Sequence, residues 1–428
     1  SLLTVFASLT FADIHPRYRN MEFGFDAKFS AQQNLLTIDD IMKETINIDF
    51  TEMSKGLGKK DFAISTNNTA DAYVDLKIAF LTFGIYVDLF DLTAEFSLSK
   101  EFFKLLGEGN RLDEPMDFYI GSRFEAFSDI YVPVGVDLGK LKFTVGPSLF
   151  IPLFYMPNTK AGVTFNAKSN GEIDFTGSAK ANIYTVFPMS TPGDNSLPMP
   201  DPQEILQNFG DYFNFAGFDI MGSAEYELFD NLDVGAYIHL PLVPGRLDYA
   251  LEAEVKYDNS IPNVADLLLS GDDSSDDGNS TGGDGPGNNS NSLLGEPEVT
   301  STVKSNAGYK VNRPFRLGAE ASFRPLGNWF AIRPSFGVAA RNPFGKDFKW
   351  GENFYAEYSL NIDMRLIYIF CLSFTTSYQN EIYIQEAGFG FNFKVFELTA
   401  NIASSGTSLA KSFGLGGVMA KVSLKMGF

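Results

Sequence analysis

The sequence predicts an all-β protein, a transmembrane antiparallel β-barrel of about 14 strands with short helical inserts; ambiguous hairpins allow roughly 12 to 18. Three observations predict it. Segments of about 9–11 residues alternate between apolar and polar residues, as tilted strands that cross a bilayer do. Phe, Tyr and Gly are abundant, at 42, 18 and 39 residues, which favours strands and turns. No stretch reaches the ~18 consecutive apolar residues of a membrane helix.

Residues 358–366, YSLNIDMRL, illustrate the alternation. Every second residue from Tyr358 to Leu366 is apolar, and the residues between them are Ser, Asn, Asp and Arg. Residues 247–257 and 316–324 follow the same pattern. Because side chains of a strand point to opposite faces in turn, each of these segments has one apolar and one polar face.

The apolar faces distinguish a membrane barrel from a soluble β-sandwich. A sandwich buries its apolar face between two sheets and uses shorter strands with charged outer faces. Here the apolar face is long and aromatic on nearly every strand, while the polar face mixes both signs of charge with Gly, Ser and Asn. We therefore expect the apolar faces to contact lipid and the polar faces to line a wet lumen. Only a closed barrel then satisfies every backbone N–H and C=O group inside the bilayer.

Charge and composition exclude several functional classes. The net charge of -20 leaves no basic face for nucleic acid, so no nucleic-acid partner is expected. A single cysteine, Cys371, and two histidines predict neither a disulfide nor a cofactor or metal bound by His and Cys. There is no Gly-x-Ser-x-Gly motif, and His239 shares the polar face with Asp233 and Tyr237. We therefore predict that the protein is not an enzyme.

The segments that depart from the apolar–polar alternation indicate how the chain is divided. Residues 1–12, SLLTVFASLTFA, are apolar and end in small residues, which predicts the remnant of a signal peptide; a first buried strand is the alternative. Residues 13–428 are predicted to form a single barrel. Within it, residues 31–70 are polar enough for a plug or a periplasmic segment. Residues 258–312 form a long, acidic, low-complexity loop expected on the extracellular side.

Three short helices are expected within the barrel. They cover about residues 37–44, 99–110 and 201–214. The third has the strongest start, because Asp201 is followed by Pro202 at the first helical position and by Glu204 two residues later. We expect these helices to lie in loops or inside the lumen.

The C-terminal residues 421–428, KVSLKMGF, alternate strictly and finish on an aromatic residue. Barrels of the bacterial outer membrane commonly end on such a strand, which the barrel-assembly machinery reads. We therefore expect Val422, Leu424, Met426 and Phe428 to form a C-terminal assembly signal. The expected location is the bacterial outer membrane, with its lipids and the assembly machinery as partners.

Two segments resemble a known family. TIDDIMKETINIDF (37–50) and EFFKLLGEGNRLDEPMDFYIGSRF (101–124) look like the acidic helical stretch and the Phe/Leu-rich helix of uncharacterised bacterial outer-membrane proteins. That family is FadL-like, that is, related in architecture to the long-chain fatty-acid transporter barrels. The resemblance implies the fold and the location, and it carries over no functional residues.

Twelve charged residues fall on the predicted inner face. The functional interpretation is a pore lining that sets solute preference, and the alternative is a lattice of salt bridges that fills a closed barrel; both stay open. The twelve residues are Asp75, Lys77, Glu95, Arg123, Glu225, Glu252, Glu254, Arg316, Glu320, Arg333, Asp363 and Arg365.

A weak candidate calcium loop lies in the acidic segment, where Asp273, Asp277 and Asp284 take loop positions 1, 5 and 12. The segment is rich in Gly and Ser, which favours a solvated flexible loop over a metal site.

The function that fits these observations is an outer-membrane pore or transporter for small or hydrophobic solutes. Its expected partners are an unidentified small solute and the membrane lipids. We expect a monomer. The alternative is a structural or surface-interaction barrel that anchors the acidic loop, as an adhesin does.

Overall fold

The computed structural model describes most of the barrel in one antiparallel sheet. The described residues are 20–35, 49–58, 61–188, 209–261, 298–341, 343, 353–367, 369–379, 382–393, 395–406, 408–414 and 416–428. The strand segments are β1 Met21–Gln33, β2 Phe62–Ile78, β3 Leu81–Leu98, β4 Met116–Tyr131, β5 Val134–Asp137, β6 Leu141–Ala167, β7 Ile173–Thr185, β8 Gly217–Phe229, β9 Leu232–Val243, β10 Gly245–Ile261, β11 Glu298–Val311, β12 Phe315–Phe323, β13 Phe330–Ala340, β14 Phe354–Ile367, β15 Phe370–Gln379, β16 Ile382–Asn392, β17 Phe396–Gly406 and β18 Gly417–Gly427.

The 18 segments form 14 barrel strands, because four pairs of consecutive segments are collinear. β4 with β5, β7 with β8, β9 with β10, and β11 with β12 each run along the same neighbouring strands. β18 pairs with β1 from Glu22 opposite Gly427 to Gln32 opposite Gly417, which closes the sheet. The predicted all-β barrel of about 14 strands is confirmed.

The two ends of the barrel differ as outer-membrane barrels do. One end carries short turns, including residues 79–80, 138–140 and 230–231. Asn20 and Phe428 lie at this same end, where the Asn20 N–H donates to the Phe428 carbonyl at 2.7 Å. The other end carries long connections with helices. Residues 241–245, PLVPG, have the composition of a short turn. In the structure they continue barrel strand 7 from β9 into β10, since Pro244 interrupts the strand without reversing it.

In the described part of the long connections there are three α-helices: α1 Phe50–Leu57, α2 Lys100–Glu108 and α3 Leu409–Ser412. α1 begins at Asp49, whose carboxylate accepts hydrogen bonds from the Thr51 and Glu52 amides at 2.9 and 3.0 Å. α2 confirms the helix predicted at 99–110. The helix predicted at 37–44 lies outside the described residues, and only the end of the one predicted at 201–214 is described, as the 3₁₀ helix Phe209–Phe215.

The prediction that residues 31–70 form a plug or a periplasmic segment is wrong for the described part. β1 runs to Gln33 and β2 starts at Phe62, so both ends of the segment are barrel strand. α1 lies at the long-loop end, opposite Asn20 and Phe428, and there Lys411 of α3 donates to the Gly56 carbonyl at 3.3 Å. The polar residues at 65–69 within the predicted segment belong to β2, and every second one of them, at 65, 67 and 69, shares the inner face with Tyr73 and Asp75.

The boundaries of the acidic loop also need correction. β10 continues to Ile261 and β11 starts at Glu298, so strands take both ends of the predicted 258–312 loop. The remaining residues, 262–297, lie outside the described part, and the candidate calcium ligands Asp273, Asp277 and Asp284 lie with them. The same holds for residues 1–12, the predicted signal-peptide remnant.

The wall of the barrel is inverted relative to a water-soluble protein. On β1, Glu22 and Asp26 are buried. Their neighbours Phe25 and Phe29 face outwards and are 43% and 59% exposed. The same holds along the other barrel strands, where large apolar side chains are exposed and Ser, Asp and Glu are buried. Water would penalise this arrangement by roughly 25 cal/mol per Å² of apolar surface, whereas lipid favours it.

Aromatic side chains border the apolar band at both ends. Tyr358, Tyr378 and Tyr383 pack together near the long loops, with ring centroids of Tyr358 and Tyr378 5.1 Å apart. Phe370 and Phe389 pack 5.8 Å apart near the short turns. From Phe370 to Tyr378 a strand rises about 26 Å, which a tilt of ~40° reduces to about 20 Å, close to the ~25 Å apolar band of such barrels. Among the described residues no helix is long and apolar enough to span a bilayer.

A charge placed in the middle of this band should destabilise the folded barrel. Phe374 lies midway along β15 and is 39% exposed, so Phe374→Arg should lower the free energy of unfolding in lipid vesicles by about 2–4 kcal/mol. Ser373→Arg is the matched control, because Ser373 faces the lumen opposite Asp363. Denaturant titration of vesicle-embedded protein measures both, and equal destabilisation by the two variants would contradict the assigned faces.

Candidate functional site

The lumen is the candidate functional site, and the strand alternation places ten of the twelve predicted charges on its wall. Several pair with charges on the adjacent strand or on the strand after it. Arg333 binds Asp363 at 2.6 Å. Arg316 lies 3.6 Å from Glu357, and Lys77 lies 3.0 Å from Asp137. These pairs fit the salt-bridge lattice, and because they line the inner wall they also fit a pore lining.

Other predicted charges pair with residues that the sequence pattern did not single out. Glu225 accepts from Lys142 at 3.3 Å, and Arg123 lies 3.6 Å from Glu125. Glu95 stands opposite Arg123 in the register. Glu320 stands between Gly235 and Ser335, Arg365 stands opposite Cys371, and the Tyr86 hydroxyl donates to Asp75.

Glu252 and Glu254 are placed differently from the other ten. They lie in the outer part of β10, near the long-loop end, and their side chains are 42% and 32% exposed. Lys304 contacts Glu252 at 2.6 Å and Lys180 contacts Glu254 at 3.4 Å. These pairs lie near the mouth, away from the buried part of the lumen.

A buried group of five residues, the tyrosine arc, lines one side of the lumen. Its members come from barrel strands 2, 3, 4, 6 and 7 and are Tyr73, Tyr86, Tyr131, Met221 and Tyr237. The rings of Tyr73 and Tyr86 stack with centroids 5.0 Å apart.

The tyrosine arc depends on glycines in adjacent strands. A Cβ atom at Gly24 would lie 1.9 Å from the Tyr73 ring, and one at Gly318 would lie 2.3 Å from the ring of Tyr237. The Tyr73 hydroxyl donates to Glu22 at 2.8 Å. The bare backbone at these glycines therefore lets each ring lie flat along the wall.

Next to the tyrosine arc, four aspartates form the aspartate row. Asp26, Asp71, Asp88 and Asp129 occupy β1 to β4 and stand directly opposite one another in the register. Three of them, all but Asp71, are buried. Like charges directly opposite each other on a sheet are destabilising, so this row is stable only if a cation or bound protons offset its negative charge.

Arg313 supplies a compensating cation to Asp129 from a position four barrel strands away. It lies at the break between β11 and β12, and its guanidinium contacts Asp129 at 2.6 Å and Asp219 at 3.7 Å. It also donates to the Ser148 hydroxyl at 3.3 Å. We call these three contacts the lumen bridge. The Phe150 ring lies beneath the guanidinium, 5.5 Å from its centroid.

His239 extends the lumen bridge. Its ring is fully buried on the inner face, as the alternation predicts, and its Nε2 lies 2.8 Å from Asp219. This partner is a carboxylate rather than the serine hydroxyl of a hydrolase. Among the described residues no group of three or more His, Cys, Asp or Glu is arranged to hold a metal.

Sequence reasoning missed Arg313, Asp129 and Asp219. Arg313 lies where the alternation is interrupted, between Val311 and Phe315, so it belongs to no regular strand. Pro314 was the available signal, because a residue without an N–H interrupts a strand ladder.

No family profile and no curated protein matches the sequence. Several solved barrels are similar in shape over most of the chain. The Pseudomonas putida toluene transporter TodX is 9% identical, with a TM-score of 0.48, over 96% of this chain and 90% of that one. The Ralstonia pickettii toluene transporter TbuX is 6% identical, with a TM-score of 0.43 and the same coverage of 96% and 90%. A Pseudomonas aeruginosa FadL homologue is 9% identical, with a TM-score of 0.43, again over 96% and 90%. At such low identity no residue role carries over to this chain.

The packing of Tyr237 on Gly318 should be sensitive to one methyl group. Gly318→Ala should lower the free energy of unfolding by about 1–3 kcal/mol, since the added Cβ overlaps the ring. Gly162→Ala is the matched control, because nothing lies within 4 Å of a Cβ there. Combining Gly318→Ala with Tyr237→Ala should make the Gly318 substitution nearly neutral. If Gly318→Ala is tolerated as well as Gly162→Ala in denaturant titrations, the ring does not lie on that glycine.

Proposed function

We propose that this protein is a channel of the bacterial outer membrane through which small solutes, hydrophobic ones among them, cross. The observation that carries the proposal is the inverted wall. An apolar outer surface requires lipid, and the face turned away from the lipid carries charged and hydroxyl side chains, which suit a hydrated path. A barrel built only for rigidity would not need so many charges inside, because apolar packing fills an interior at lower cost.

The architecture also supports the location and the orientation. Short turns and both described chain ends lie at one end of the barrel, and long connections lie at the other, as in outer-membrane barrels with periplasmic turns and extracellular loops. Val422, Met426 and Phe428 are exposed on the outer wall, where lipid would cover them. Recognition of this strand by the assembly machinery is part of the proposal. A closed sheet leaves no pairing edge along the seam between β18 and β1, which supports a monomer.

Two features of the lumen bear on the class of solute. The ion pairs and hydroxyls of the wall favour small polar solutes. The tyrosine arc is the apolar part of the lumen, but its tyrosines are only 2–8% exposed, so a small hydrophobic solute would reach the ring faces only where these side chains move apart. The proposal therefore includes both classes, and the solute itself is to be found by experiment.

The surface-interaction alternative depends on the acidic segment, which from 262 to 297 lies outside the described residues. No described residue favours it over a channel. The two functions also make opposite demands on permeability, because an anchor needs a barrel that passes nothing.

Reconstituted protein should conduct ions and admit small solutes. The measurements are conductance of the refolded full chain in planar bilayers, swelling of proteoliposomes in sugars of increasing size, and uptake of a small neutral aromatic compound. A variant that lacks residues 262–297 is the control: it should keep the wild-type permeability. Wild-type protein that is folded but gives no conductance, no swelling and no uptake would contradict the channel.

A further inference from the structure

The lumen bridge joins strands that are far apart along the wall. Asp129 lies on barrel strand 4 and Arg313 on barrel strand 8, with Ser148 on strand 5 and Asp219 on strand 6 between them. Neighbouring strands are about 4.8 Å apart, so four steps amount to roughly 19 Å measured around the wall. A contact of 2.6 Å between Arg313 and Asp129 therefore spans the lumen as a chord instead of following the wall.

The bridge occupies space that an open lumen would leave to water. The side chains of Arg313 and Asp129 are 4% and 6% exposed, and that of Asp219 is 0% exposed. The alternation turns Ser148 and Phe150 towards the lumen, where an open path would expose them to water. Both are nevertheless fully buried. By comparison, Arg333 pairs with Asp363 on the adjacent strand, so this ion pair stays along the wall and does not extend across the lumen.

The charge balance at the bridge is unequal. Arg313 faces Asp129 directly, and the register continues from Asp129 through Asp88 and Asp71 to Asp26. Asp219 adds a further carboxylate at 3.7 Å, shared with His239. One guanidinium thus stands against several carboxyl groups, so the charge of Arg313 has a large influence on the potential at this level of the lumen.

We infer that Arg313 is the specificity-determining residue of the channel: its cross-lumen contacts with Asp129 and Asp219 narrow the path, and its charge limits the preference of that path for cations. This inference rests on the proposed function. It assigns the constriction to the level of the strand break at residues 312–314, and it identifies cationic and neutral small solutes as the class that passes more readily than anions.

The test compares Arg313→Gln with Arg333→Gln in the full-length protein, refolded and inserted into planar bilayers. Both variants remove one guanidinium that pairs with a carboxylate at 2.6 Å, but only the first breaks a contact across the lumen. In a potassium chloride gradient, Arg313→Gln should raise the single-channel conductance several-fold. It should raise the potassium-to-chloride permeability ratio roughly fivefold, the factor equivalent to about 1 kcal/mol, which is the interaction energy of two unit charges ~4 Å apart in water. Arg333→Gln should change the conductance much less.

A second variant guards against misfolding, because loss of Arg313 alone leaves Asp129 buried without its cation. Arg313→Gln combined with Asp129→Asn removes one charge of each sign. It should keep the raised conductance and bring the permeability ratio back towards the wild-type value. Heat-modifiable electrophoretic mobility verifies that each variant forms a closed barrel.

The possible results separate the two proposals. If the wild type conducts and both Arg313 variants, correctly folded, match it in conductance and selectivity, the role of Arg313 is overturned and the channel stands. A wild type that is silent to ions but admits sugar or the aromatic compound, together with Arg313 variants that conduct, supports the constriction. If the folded wild type and all variants are silent to ions and also admit no sugar or aromatic solute, the channel is overturned, and this inference with it.

Discussion

The structure depends on one constraint: in lipid, every backbone N–H and C=O group of a strand must find its partner in another strand. The seam between β18 and β1 satisfies this constraint, because eleven consecutive residue pairs, from Glu22 and Gly427 to Gln32 and Gly417, complete the sheet. Closure of the sheet then determines the environment of each side chain in the wall. It turns one face of every strand to lipid and the other to a common interior, so a single alternation in the sequence specifies both environments.

Closure is what made the fold predictable from sequence. In a barrel each strand obeys the same two-residue alternation, so the pattern in residues 358–366 repeats around the whole wall, and the inward position of His239 followed from it. Predictions based on local composition were less successful. The polar stretch 31–70 resembled an insertion, although its residues 65–69 belong to the interior of a strand, and Pro244 suggested a turn where the strand continues.

The candidate site could be predicted only in part, for a physical reason. Alternation indicates that Arg333 and Asp363 face inwards on adjacent strands, and the structure pairs them at 2.6 Å. It contains no information about which residues meet across the lumen, because that depends on the curvature of the closed sheet and on where strands break. Arg313 lies in such a break and reaches Asp129 from four strands away. Long-range contacts of this kind are a property of the assembled barrel.

The split barrel strands described above have a consequence for how the protein tolerates change. β7 ends at Thr185 opposite Phe154, and β8 resumes at Gly217 opposite Phe150, so about thirty intervening residues leave the register of the wall almost undisturbed. A break that preserves pairing on both sides is a natural acceptor site for new sequence. The described ends of the inserted segment hold to the wall, because Val186 and Tyr212 share a buried cluster with Ile151, Leu247 and Val311. A sequence grafted in its place would leave the membrane-embedded ring intact only if it preserved these two contacts.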